Sequence, residues 1–308
     1  MKVLLMSHIA DADGVTPVVL TDLAFDDYDY KLFEVNELEQ FILDNLNTNY
    51  FDKYDKVFVV DLCFGEEVAN KILNTNLKNK IQVLDHHISR LSMNKYDFIT
   101  VIDEENGKKE SGTSLYYKYL VNNYNNELLN KDCIKTLVDM VRSGDTWEWK
   151  KTNYQEARDI STLLAYYGND KYIEKYKKYI RENDIFIFDE IDKTIIEIDS
   201  KRKHDYIENC KKKVIFKNFN GYKIGIIFAE LYRSELGNEL AEYYKDKVDF
   251  ILIINMNRSL SFRGIKDDIN LGEISHEWFS GYGHAAAAGA PLPTNLKEEI
   301  IEMIFKGV

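Results

Sequence analysis

Cysteine is scarce, and the three present, Cys63, Cys133 and Cys210, lie far apart with none of the close pairing that holds a metal. They suggest neither a disulfide framework nor a thiolate zinc site. Long apolar runs are missing too. Nothing approaches the roughly 20 uncharged residues that span a bilayer, and the opening MKVLLM turns polar at once. No signal peptide and no membrane span are expected, with the cytoplasm as the simplest compartment. Positive charge is in short supply: 40 Lys and Arg face 52 Asp and Glu, for a net charge of −12. That balance argues against gripping long duplexes through their backbone, which draws on a broad basic surface. A phosphate-bearing substrate must be held locally. What is present is ordinary globular material, 45% hydrophobic and 30% charged over 308 residues, enough for two cores rather than one.

The first half alternates strand and helix. Residues 1–6, 31–35, 56–60 and 80–84 are short apolar runs that read as parallel strands, and segments 14–25, 36–46 and 65–73 between them carry helical spacing. Helices are expected to follow over 111–124, which opens on a Ser111-Gly112-Thr113-Ser114 cap, and over 132–143, 154–167 and 170–181. A charged helix over 189–212, with Ile191, Ile195, Ile198 and Ile207, is expected to connect the halves. Beyond it, runs at 214–219, 222–228, 250–254 and 259–263 read as strands, the first two joined by an Asn220-Gly221 hairpin, with a helix over 234–244. The expected organisation is an α/β parallel-sheet domain over 1–188, a connecting helix over 189–212, and a smaller mixed α/β domain over 213–308.

Ligands of α/β sheets gather beyond the carboxyl ends of the strands. At three such ends stand His8, Asp11 and Asp13, then Asp61, then Asp85-His86-His87, and a further Asp145 closes a helix in Gly144-Asp145-Thr146-Trp147. Taken singly, each reads best as a cap or a solvated loop residue. Together they would repel one another and resist desolvation unless cations were present. Four of the chain's six histidines, His8, His86, His87 and His284, fall in these clusters. A mixed oxygen and nitrogen donor set of this kind suits two manganese ions, Mn²⁺, with Mg²⁺ or Co²⁺ as substitutes. Paired divalent ions are suited to in-line attack on phosphorus.

At these residues the chain resembles the DHH phosphoesterase superfamily with its DHH-associated C-terminal domain, over nearly the whole length. The motifs are His8-x-x-Asp11-x-Asp13-Gly14, Asp61 after an apolar strand, Asp85-His86-His87 and Asp145-Thr146-Trp147, followed by Ser261-Phe262-Arg263-Gly264 and Gly281-Tyr282-Gly283-His284. The resemblance implies that His8, Asp11 and Asp61 hold one metal while Asp13, Asp61, His86 and Asp145 hold the other, with Asp61 shared. It implies hydroxide attack between two metals, with His87 facing the scissile phosphate and Asp85 orienting an imidazole. It also implies a cleft between the domains in which Ser261, Arg263, Gly283 and His284 hold a terminal phosphate. The chain departs from the family where Tyr282 replaces a glycine, which bears on that terminal pocket, and in having one residue fewer between His8 and Asp11.

The expected activity is Mn-dependent hydrolysis of short single-stranded RNA or DNA to mononucleotides, in the manner of the nanoRNase branch. The alternatives are a 3'-phosphoadenosine 5'-phosphate phosphatase, a phosphodiesterase for linear or cyclic dinucleotides and, in another class, a non-catalytic nucleotide-binding module. Oligomeric state is left open. Arg263 alone could be a surface ion-pair residue, the glycines alone could simply make turns, and Cys63 reads as a small buried residue. Trp147, Trp149 and Trp278 are expected to pack rather than to stack on bases, and Asp26, Asp27 and Asp29 to form a solvated loop.

Overall fold

Strand β1 (Lys2–His8) sends Val3 and Leu5 to one face and Leu4 and Met6 to the other, and all four are fully buried. A strand apolar on both sides needs cover on both sides, which parallel α/β sheets provide. The computed structural model, which describes residues 1–257 and 259–306, has that arrangement. Helix α1 (Ala12–Ala24) follows β1, then β2 (Asp27–Phe33), α2 (Leu38–Asn45), β3 (Lys56–Val60), α3 (Glu66–Leu73), β4 (Ile81–Asp85) and β5 (Ile99–Val101). The five strands form one parallel sheet in the order β2-β1-β3-β4-β5. A small hairpin, β6 (Glu104–Glu105) and β7 (Lys108–Lys109), leads to α4 (Gly112–Asn123), α5 (Asp132–Asp145), α6 (Glu148–Thr152) and α7 (Gln155–Glu182).

One core joins α1, α4, α5 and α7 to a face of the sheet through Phe58, Tyr116, Leu137 and Ile160; the other joins α2 and α3 to the opposite face through Ile42, Val68 and Ile72. One expectation is corrected here. The second strand begins at Asp27, not at residue 31, so Asp27 and Asp29 belong to an edge strand in which Lys2 pairs with both. Its Asp-Tyr-Asp-Tyr start carries two acids and no aliphatic residue, which is why it reads as a loop. The two helices expected at 154–167 and 170–181 are present within α7, which breaks at Gly168, where φ of 71° and ψ of 163° are not helical.

Helix α8 (Glu190–Lys211) contains the division between the two compact units, Met1–Glu197 and Ile198–Val308. Within the first unit Asp192 is buried beside Tyr167 and Lys175; within the second, Ile207 and Cys210 join the core. Ile191 and Ile198 are exposed. The second unit adds β8 (Ile215–Phe219), β9 (Tyr222–Phe228), α9 (Arg233–Tyr243), β10 (Phe250–Asn255), β11 (Ser259–Arg263), α10 (Leu271–Phe279), β12 (Tyr282–His284), β13 (Ala287–Pro291) and α11 (Leu296–Phe305). Its sheet runs β12-β13-β11-β10-β9-β8, with β9 and β10 parallel and the remaining pairs antiparallel. The Asn220-Gly221 turn closes β8 on β9 with φ of 48° and 84°, both positive as such a hairpin requires. No helix among the described residues is long and apolar enough to cross a membrane.

Candidate metal centre

The ends of β1, β3 and β4 are adjacent because those strands are neighbours in the sheet, and α5 brings Asp145 to them. His8 Nδ1 lies 3.2 Å from an Asp11 oxygen and 3.4 Å from Asp61 Oδ2. His86 Nε2 lies 3.3 Å from Asp61 Oδ1, 3.5 Å from Asp145 Oδ2 and 3.7 Å from Asp13 Oδ2. The structure therefore gathers His8, Asp11 and Asp61 into one triad and Asp13, His86 and Asp145 into another, with Asp61 touching both.

Backbone conformation aims these groups. Asp11 caps α1, accepting from Gly14 N at 2.9 Å, so the chain turns into the helix within reach of His8. Asp61 adopts the left-handed conformation at φ 58°, one that Asp tolerates better than most residues, and so leaves the line of β3. Asp13 is buried against the first turn of α4, where Gly112 N and Thr113 N donate to its two oxygens at 2.7 and 2.9 Å. The positive end of the α4 dipole meets the carboxylate there. Gly112 is needed for this approach, since a Cβ at that position would fall 2.5 Å from Asp61 Cβ and 2.7 Å from its backbone nitrogen.

The electrostatics are those of a cation site. Burial, reinforced by the charge of Asp13, pushes the Asp61 carboxyl well above the usual range, and the same two causes raise Asp145. The Asp11 and Asp61 carboxylates beside it push the His8 imidazole up to about 10. Burial works against ionisation of Asp11, yet the bonds from His8 and Gly14 N bring its carboxyl below the ordinary value. Protons alone would have to hold these acids together.

A divalent ion fits better. Asp61 Oδ2 and His86 Nε2 are buried without a hydrogen-bond partner, and such atoms are costly unless something unrepresented satisfies them. Donors sharing one ion at bonds of about 2.1 Å stand roughly 3–3.5 Å apart. The spacings above are of that size, and the donor set is hard oxygen with imidazole nitrogen. The residues present fit two ions.

Asp85 is fully buried and stands behind the cluster. Its Oδ1 accepts from His86 N at 2.9 Å and pairs with His87 Nδ1 at 2.7 Å, raising the His87 imidazole above its ordinary value. His87 keeps about half of its side chain exposed, with Nε2 as its uncommitted nitrogen. In the second unit, Ser261 pairs with Gly289 in the sheet and is buried, while Gly283 and His284 lie on the exposed strand β12. Arg263 Nη2 donates to Ser234 Oγ at 3.2 Å; burial and the neighbouring Arg233 lower its guanidinium pKa. That cationic pair, at the start of α9, is the kind of place an anion occupies.

The chain is 28% identical over 311 aligned residues to oligoribonuclease NrnB of Bacillus subtilis (strain 168), an alignment covering 98% of this chain and 76% of that protein. No family model matches. Among solved structures, the pGpG-specific phosphodiesterase PggH from Vibrio cholerae superposes with a TM-score of 0.56 at 12% identity, covering 100% of this chain and 98% of that one. The exonuclease RecJ bound to manganese superposes at 0.52 with 12% identity, covering 98% and 89%. The chain shares the fold of these two proteins, a parallel α/β unit followed by a mixed-sheet unit. Within that fold, the residues the motifs miss are Ser111, Gly112 and Thr113, which buttress Asp13 and Asp61. Only the cap pattern at 111–114 signalled them, and the capping box between Ser111 and Ser114 is formed. Trp147, expected to pack, is 41% exposed, whereas Trp278 packs against the core of the second unit and Trp149 against that of the first.

Proposed function

We propose that this chain is a metal-dependent phosphoesterase that hydrolyses short oligonucleotides to mononucleotides, with two Mn²⁺ as its cofactors and the cytoplasm as its compartment. The observation that carries this reading is the paired triads sharing Asp61, in which Asp61 Oδ2 and His86 Nε2 are buried without a hydrogen-bond partner. The likeness to an oligoribonuclease, over 98% of this chain and 76% of that protein, supports the substrate class. So does the net charge of −12, which disfavours long polyanions.

His8, Asp11 and Asp61 would hold one ion, and Asp13, Asp61, His86 and Asp145 the other. When bound, such ions lower the pKa of water and offset the charge that builds on phosphorus. The chain's own residues supply the rest. Asp85 fixes His87 through Nδ1 and favours its protonated form, whose Nε2–H would donate to a phosphate oxygen as the water oxygen bonds to phosphorus and the bond to the leaving oxygen breaks, the proton lost by water passing to that leaving oxygen. His86 N, bonded to the same carboxylate, ties the imidazole beside it to the same support. Arg263, with Ser261, Gly283 and His284, would receive a terminal phosphate.

A labelled length series from dinucleotides to long single strands, assayed with Mn²⁺ and with chelator, tests this. The expected result is metal-dependent release of mononucleotides that is fastest for the shortest chains. Equal or faster cleavage of long strands contradicts the substrate class. Exclusive turnover of 3'-phosphoadenosine 5'-phosphate or of cyclic dinucleotides in the same panel would move the assignment to those alternatives, and binding without turnover would make the chain a nucleotide-binding module.

A further inference from the structure

We propose that Trp147 is the platform on which the nucleobase next to the scissile phosphate stacks. The inference rests on the reading of the chain as an oligonucleotide phosphoesterase and adds a specificity-determining side chain to it.

Trp147 has φ 61° and ψ 11°, the left-handed conformation, which is uncommon for any residue with a side chain and an outlier for a bulky one. Such strain persists where the surroundings impose it, and it gathers at ligand sites. Here the imposing group is Arg142, which is 7% exposed. Its guanidinium pairs with Glu148, the residue after Trp147, and with Asp139 at 3.0 Å, and donates to Lys109 O at 2.9 Å. Lys109 N in turn donates to Glu148 at 3.4 Å. The turn from α5 to α6 is thus locked on both sides of Trp147, and the indole is held outward rather than packed.

Its position matches that role. Trp147 stands two residues after Asp145, so their Cα atoms are at most about 7 Å apart, within one nucleotide's reach of a phosphate at the ligand cluster. Trp147 as a residue is 41% exposed, and the Trp149 ring lies beside its indole at 6.0 Å between centroids with 36° between planes. A chain with an excess of acidic residues cannot retain a short nucleotide through a basic surface. Stacking is the compensating contact, and it accepts any base because every base offers a π-face. The predicted ligand is therefore a nucleobase of either class, read without hydrogen-bond discrimination.

The test compares pApA with an abasic dinucleotide phosphate of equal charge. Trp147→Ala is expected to raise KM for pApA about tenfold, within the range measured for loss of one base stack. It should change kcat less than twofold and leave KM for the abasic substrate unchanged, and Trp147→Phe should restore most of the affinity. In parallel, adenosine 5'-monophosphate should quench indole emission in Trp149→Phe and not in Trp147→Phe. Equal losses on both substrates, or an unchanged KM for pApA, overturn the proposal. If the parent turns over neither substrate, the proposed function has failed and the quenching alone decides the stacking, its absence refuting it.

Discussion

Gly112→Ala is the substitution that probes the centre without removing any donor. A Cβ there would sit 2.5–2.7 Å from Asp61 Cβ, Cα and N, all of them inside contact distance and most of them backbone. Alanine favours a helix over glycine by about 1 kcal/mol, yet overpacking a tight site costs about 1–3 kcal/mol, so the clash wins. For a unit of this size the net loss lowers Tm by roughly 2–6 °C. The larger effect is on position, because displacement of Asp61 by about 1 Å moves the group both triads share and costs roughly a hundredfold in rate. Circular dichroism melts and Mn²⁺-dependent turnover of a dinucleotide measure the two. A variant that melts with the parent and keeps more than a third of its activity refutes the claim that Gly112 fixes Asp61.

The metal-free chain should lose stability as pH rises. His8, raised to about 10, contributes fully below its unfolded value of 6.5 and less as pH climbs towards 10, and the raised Asp61 and Asp145 carboxyls lose their contribution above 3.8. All three bind more protons folded than unfolded, and metal ligation requires those protons to leave. The increase in Tm on adding Mn²⁺ should therefore be larger at pH 8 than at pH 6; calorimetric scans giving the opposite order would count against the cluster as a cation site. Asp85→Asn should cut turnover by about 10–100-fold and let the His87 pKa fall, moving the acidic-partner limb of the pH–rate profile to lower pH. An unchanged profile would remove Asp85 from its orienting role. Phe58→Ala, on the face of β3 that packs into the first core, should cost about 3–5 kcal/mol in denaturant melts while leaving Mn²⁺ stoichiometry intact.

The elements buried on two faces were legible in the sequence, since β1, β3 and β4 are runs rich in apolar residues, with His8, Asp61 and Asp85 at or just past their carboxyl ends. The edge strand β2 was not, because Asp27, Tyr28, Asp29 and Tyr30 face water on at least one side and imitate a loop. The hairpin of β12 and β13 was hidden for another reason: Gly283 and Ala285–Ala288 have too little side chain to show a two-residue period. All six donors were visible as residue types at strand and helix ends. Their buttress was not, because the Gly112 and Thr113 amides that hold Asp13 carry no side-chain signature across the 99 and 100 residues that separate them from it. Likewise, the exposure of Trp147 follows from Arg142 reaching Glu148, a contact that spacing alone does not reveal.

Manganese stoichiometry by equilibrium dialysis, on the parent and on Asp61→Ala and Asp11→Ala, tests the account most directly. Two ions per chain are predicted for the parent, with tight binding at both positions lost in Asp61→Ala and at one in Asp11→Ala. A parent that binds no manganese, or an Asp61→Ala chain that still binds two ions with the parent's affinity, would contradict it.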